Sequence, residues 1–141
     1  MNETKKIYIL DTSAILTYIE DEDGSEYVEN LLIDAEKGMV DIYVSFISLT
    51  EVFYITLREK DEPLAVERIK LIQSLAVKIQ ESDEVFNMKA GKLKAKNSIS
   101  IADAYIAALS QIHSGVLVHK DPEYEKIESE IKEYRLPYKL P

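Results

Sequence analysis

Short apolar runs of strand length alternate along the chain with longer segments in which apolar residues recur at three and four. Ile7-Tyr8-Ile9-Leu10, Ile42-Tyr43-Val44-Ser45, Ala76-Val77-Lys78-Ile79 and Gly115-Val116-Leu117-Val118 read as strands. A fifth run, Leu136 to Leu140, contains Pro137 and is admissible only at a sheet edge, because proline has no amide hydrogen for the ladder. The segments Ala14–Glu20, Glu26–Glu36, Thr50–Arg58, Leu64–Leu75, Val85–Lys96 and Ala102–Gln111 carry the helical period. In the run from Ala102, Tyr105, Ile106, Leu109 and Ile112 form one stripe of the kind that faces a sheet. Strands alternating with helices predict βαβ units around a parallel sheet.

Nothing divides the chain. It holds four glycines and four prolines, no repeat and no low-complexity stretch, so residues 1–141 are expected to fold as one domain. At 46% apolar content, a chain of 141 residues can bury a core without staples. The absence of cysteine excludes disulfides, thiolate metal sites and a cysteine nucleophile. Met1 to Lys6 carries two lysines, but only four apolar residues follow before Asp11, too few for a signal peptide or a membrane span. A soluble, cytoplasmic protein is expected. Seventeen basic and twenty-six acidic residues leave a net charge of -9, which argues against holding nucleic acid by bulk attraction. Any such contact must be local, and Val85–Ala102 offers Lys89, Lys92, Lys94 and Lys96 with no acid among them. Such a run is equally a solvated helix face.

Four acids stand at junctions between elements. Asp11 follows the first strand and precedes Thr12-Ser13, a helix start in which the carboxylate caps free amides. Glu51 and Asp103 occupy the fourth positions of Ser48-Leu49-Thr50-Glu51 and Ser100-Ile101-Ala102-Asp103, the spacing of a capping box. Asp121 precedes Pro122, again an ordinary helix start. Each acid thus has a local explanation, yet in a parallel sheet the carboxyl ends of all strands lie on one edge. Four acids at such points can converge although they are spread from 11 to 121. Clustered carboxylates repel and raise one another's pKa, so the cluster calls for a cation. An oxygen-only donor set selects a hard ion, Mg²⁺ or Mn²⁺.

The stretches Ile9-Leu-Asp-Thr-Ser-Ala-Ile-Leu, Leu49-Thr-Glu-Val-Phe-Tyr, Ser100-Ile-Ala-Asp-Ala-Tyr-Ile-Ala-Ala and Leu117-Val-His-Lys-Asp-Pro-Glu-Tyr resemble, in order and spacing, the four motifs of PIN-domain nucleases, and are most similar to the VapC toxins of VapBC toxin–antitoxin pairs. The resemblance runs from Ile7 to about Tyr124. It implies a three-layer α/β/α fold with a central, mainly parallel sheet of four to five strands, Mg²⁺- or Mn²⁺-dependent hydrolysis of RNA, an antitoxin partner and a homodimer. Asp11, Glu51, Asp103 and Asp121 fall on the family's four acidic positions, with Asp11 and Asp103 expected as principal metal ligands. Thr12 and Ser13 fall on its small hydroxyl residues. His119 stands where the family commonly has Thr or Ser, and it is assigned neither as ligand nor as base.

Lys89, Lys92 and Lys96 are the candidates for local contact with the RNA backbone, and Phe53 and Tyr54 on Leu49–Leu57 for a dimer surface. Two other classes remain. A Mg²⁺-dependent phosphatase of the haloacid-dehalogenase type needs a second Asp two residues after the first, and Ser13 stands there. A receiver domain needs paired acids before its first helix, and only Glu3 precedes Asp11. A PIN-fold binding or regulatory module with little hydrolysis is the remaining alternative.

Overall fold

The computed structural model describes residues 4–139. Five strands, β1 (Lys6–Leu10), β2 (Val40–Ser45), β3 (Lys78–Gln80), β4 (Val116–His119) and β5 (Lys132–Arg135), form one sheet in the order β3-β2-β1-β4-β5. Every pairing is parallel. The helices are α1 (Thr12–Ile19), α2 (Ser25–Glu36), α3 (Phe46–Glu59), α4 (Glu62–Ser74), α5 (Glu84–Lys96) and α6 (Ile101–His113), with a 3₁₀ segment over Pro122–Glu130.

Side chains alternate across the strands, and this period of two builds the layers. Tyr8 and Leu10 of β1, with Val118 of β4, pack on one face against Ala14, Ile15, Val28 and Leu32 of α1 and α2 and Ile72 of α4. Ile9 and Leu117 point to the other face, against Phe86, Ala90 and Leu93 of α5 and Ile106, Ala107 and Leu109 of α6. The result is the expected α/β/α sandwich around a parallel sheet. Gly115 lets β4 enter close to β1, since a Cβ there would lie 2.5 Å from Ile9 Cδ1 and 3.0 Å from the Ile7 carbonyl oxygen. No helix of the described residues is long and apolar enough to cross a membrane.

Two boundaries differ from expectation in ways that matter for the site. The fifth strand is Lys132–Arg135, not Leu136–Leu140 (Leu140 lies outside the described residues). Its exposed, charged Lys-Glu-Tyr-Arg has no apolar signature, as befits an edge, whereas Leu136 just beyond it is a buried plug of the first core layer. Helix α3 starts at Phe46, capped by Ser45, whose side chain accepts from Ile47 N at 3.3 Å. Glu51 therefore lies on the second turn and not at the end of a capping box.

Candidate active site

Because all five strands run the same way, the chain leaves β1, β2 and β4 at one edge of the sheet. Asp11 leaves β1 and keeps its amide in the ladder, donating to the Val118 carbonyl oxygen at 3.0 Å. Its carboxylate caps α1 through Ser13 N at 2.9 Å. Glu51 arrives from the helix after β2, and Asp121 follows β4, accepting from Glu123 N at 3.0 Å. Asp103 stands on the first turn of α6, where Ser100 Oγ accepts its amide at 3.1 Å. All four acids line one cleft of about 240 Å³, together with Thr12, Ser13 and Lys120.

The cleft is crowded with like charge, two of its acids buried and two half-buried. Asp11 is 3% exposed and Asp103 7%. Burial and the charges of Asp11 and Asp121 push the Asp103 carboxyl up to about 8. Burial likewise raises Asp11, against hydrogen bonds from Ser13 and Tyr124 that favour its charged form. Burial raises Glu51 too, opposed by the Thr12 hydroxyl and reinforced by Asp11 and Asp121.

Hydroxyl groups fix these carboxylates. Thr12 donates to Glu51 Oε1 at 2.6 Å and lies 2.9 Å from Ser48 Oγ. Ser13 donates to Asp11 Oδ2, and its own oxygen accepts the Lys120 amide at 2.8 Å, which ties the exit of β4 to α1. Tyr124, fully buried, donates to Asp11 Oδ1 at 2.6 Å. No three His, Asp or Glu side chains among the described residues form a closed cage for an ion. The donor set nevertheless fits one: buried, mutually repelling carboxylate oxygens without sulfur or imidazole suit a hard divalent cation.

Tyr124 has no sequence signal of its own, and Lys120 stands in the fourth motif only as the residue before Asp121. Tyr124 ends the fourth motif as one more aromatic, and its partner Asp11 lies 113 positions away. Lys120, whose side chain is 5% exposed, is the lysine that lines the cleft. Lys89, Lys92 and Lys96 lie on α5, Lys92 and Lys96 exposed, and none of the three lines it. His119 is fully buried and does not line the cleft either. Its Nδ1 accepts the Asp121 amide at 3.1 Å, so it replaces the expected hydroxyl as an acceptor that holds the chain at Asp121. Burial lowers its pKa, and with Nδ1 accepting, a neutral ring carries its proton on Nε2, which lies 3.8 Å from Glu133 Oε1 and has no hydrogen-bond partner among the described residues. On α3, Phe53 is half-buried and Tyr54 exposed.

The sequence model of the PIN domain matches residues 8–130. No curated protein sequence matches significantly. Among solved structures, VapBC2 from Rickettsia felis, bound to a DNA fragment from the promoter, is similar with a TM-score of 0.74 at 20% identity, over 93% of this chain and 99% of that one. The DNA-bound VapBC of Salmonella typhimurium gives 0.73 at 19% identity, over 94% and 98%. VapC20 of Mycobacterium tuberculosis, described as a Sarcin-Ricin loop cleaving toxin, gives 0.67 at 14% identity, over 86% and 95%. At these identities the likeness is one of fold.

Proposed function

The chain belongs to the PIN domain family, and from that premise we propose that it is a divalent-metal-dependent endoribonuclease, the toxin of a toxin–antitoxin pair. The observation that carries this reading is the convergence of Asp11, Glu51, Asp103 and Asp121 on one buried cleft. Neighbours of the same fold that were solved as VapBC complexes, and one that cleaves the Sarcin-Ricin loop, support the choice of RNA as substrate and of an antitoxin as partner. The exposed Tyr54 and Leu57 on α3 support a homodimer, which a monomer mass in sedimentation would contradict. The setting is the cytoplasm.

Asp11 and Asp103 would be the principal ligands of Mg²⁺ or Mn²⁺, with Glu51 and Asp121 completing the site. Such an ion would supply an acidified water and neutralise charge on the phosphoryl oxygens. The protein's own part is to hold the donors. Ser13 and Tyr124 fix Asp11, Thr12 fixes Glu51, and the His119 ring fixes the backbone at Asp121. Lys120 is the cation of the cleft nearest to an incoming phosphate chain.

Cleavage of single-stranded RNA by the purified protein tests the proposal. Activity is expected with Mg²⁺ or Mn²⁺ and none with chelator. Asp11→Ala and Asp103→Ala lose about a thousandfold or more, the size of effect seen when a group essential to charge stabilisation is removed, and Glu51→Ala and Asp121→Ala lose most of the activity. Metal-independent cleavage, or full activity in Asp103→Ala, would refute it. A folded wild type that binds RNA without cutting it would instead favour a binding module.

A further inference from the structure

The cleft shares Ser13, Leu16 and Lys120 with a second cavity of about 310 Å³, whose other walls include Pro122, Tyr138 and Lys139. The segment that brings Tyr138 there is anchored. Leu136 is 2% exposed, and its amide donates to the His119 carbonyl oxygen at 2.8 Å. Gly24, at φ +99°, lies beneath Leu136 and Pro137, where a Cβ would meet both at 3.1–3.2 Å. Neither the left-handed backbone nor this space suits another residue.

The chemistry of the cavity is mixed in a particular way. Leu16, Pro122 and the Tyr138 ring give it apolar and aromatic walls. The Tyr138 hydroxyl is buried beside Glu125 and meets no hydrogen-bond partner at ordinary geometry among the described residues. Lys120 Nζ lies 3.8 Å from Glu22 Oε1, and Lys139 Nζ lies 2.8 Å from Glu22 Oε2. One carboxylate thus stands between two ammonium groups, so the charged side chains lining the cavity leave one positive charge in excess, with Glu20 and Glu59 also facing Lys139.

We propose that this cavity is a subsite for the nucleotide next to the cleaved phosphate of single-stranded RNA. The base lies against the Tyr138 ring between Leu16 and Pro122, and its phosphate is held by Lys120 and Lys139. Aromatic walls beside a positive groove are the general means of holding single strands without base pairing. The volume is at the small end of the roughly 300–1,000 Å³ of ligand sites, right for one nucleotide and not for a helix. Continuity with the acid cleft through Ser13, Leu16 and Lys120 makes a chain leaving that cleft its natural occupant. The inference rests on the ribonuclease reading, but the test separates the two.

The test is the affinity of the full-length protein for a short fluorescein-labelled single-stranded RNA, read by anisotropy in calcium, with the RNA checked intact on a gel. Tyr138→Ala is expected to weaken binding about tenfold, within the range of a lost base–aromatic stack. Lys139→Glu, at a side chain 70% exposed, does not threaten folding and is expected to weaken binding about fivefold. Lys37→Glu, at the end of α2 on the opposite edge of the sheet, carries the same charge change and should stay within about twofold. A 4-thiouridine version of the RNA should crosslink to the peptide carrying Tyr138. Equal affinity in wild type, Tyr138→Ala and Lys139→Glu, with crosslinks elsewhere, overturns the subsite even when wild type cleaves RNA, and leaves the cavity to a protein segment. Absence of RNA cleavage by wild type in Mg²⁺ or Mn²⁺ marks failure of the ribonuclease reading instead.

Discussion

Asp11 and Asp83 each follow a strand and each cap the next helix, Asp11 through Ser13 N at 2.9 Å and Asp83 through Phe86 N at 2.8 Å. Asp83 leaves β3, the edge of the sheet, and is exposed. Asp11 leaves β1, the middle strand of five, and is 3% exposed among three other carboxylates. Both are ordinary helix caps, so the preference of Asp for helix starts does not separate an isolated cap from a member of the acid cluster. The rank of the strand does. Only a central strand has elements on both sides to bring further acids, Glu51 from beyond β2 and Asp121 from beyond β4.

The comparison can be broken by pH. Asp103 shifts from the ordinary 3.8 to about 8 on folding, with Asp11 and Glu51 raised in the same direction. The folded state therefore holds protons more tightly than the unfolded one, and the contribution present below about pH 4 is lost as pH rises through about 8. Denaturation of metal-free protein should show stability falling by about 2–5 kcal/mol between those limits, and Asp103→Asn should flatten most of the fall. A stability that is flat or rises over this range in wild type would mean that the acids do not crowd one another.

His119 sharpens the contrast between holding and reacting. It holds the Asp121 amide but does not line the cleft, so His119→Ala should cost less than about tenfold in cleavage, or about 1.4 kcal/mol of barrier. A loss as large as that of Asp11→Ala, in a variant folded by circular dichroism, would move the imidazole into the chemistry. The smallest effect belongs to Asp83→Ala: about 1 kcal/mol of stability from the lost cap, with metal-dependent cleavage unchanged within about twofold. Loss of activity there without loss of fold would extend the site to the sheet edge.

The residues that the sequence made legible are those whose local role and distant role coincide. Asp11, Asp103 and Asp121 announce themselves at helix starts, and the parallel order that makes them converge is readable from alternating strand and helix periods. Glu51 was legible only through its place in the motif, since its helix is capped by Ser45, six residues earlier, and not by the expected Ser48. Tyr124 was not legible at all, because a buried tyrosine looks like core until the carboxylate it meets, 113 residues away, is in view. The misplaced last strand has a similar cause. Lys132–Arg135 pairs in the ladder at an exposed edge with no apolar period of its own, while the apolar Leu136 behind it marks a core contact.

If Asp11, Glu51, Asp103 and Asp121 form one cation site while the helix cap Asp83 at the sheet edge does not, a divalent ion stabilises the folded chain only through the cluster. Scanning calorimetry of the metal-free protein with and without Mn²⁺ tests it most directly. At a hundredfold excess over Kd, wild type should gain about 2.7 kcal/mol, because the ion binds only the folded site. Asp83→Asn should gain as much, and Asp11→Asn and Asp103→Asn should lose most of the gain. Equal stabilisation by Mn²⁺ in wild type, Asp11→Asn and Asp103→Asn would contradict the assignment.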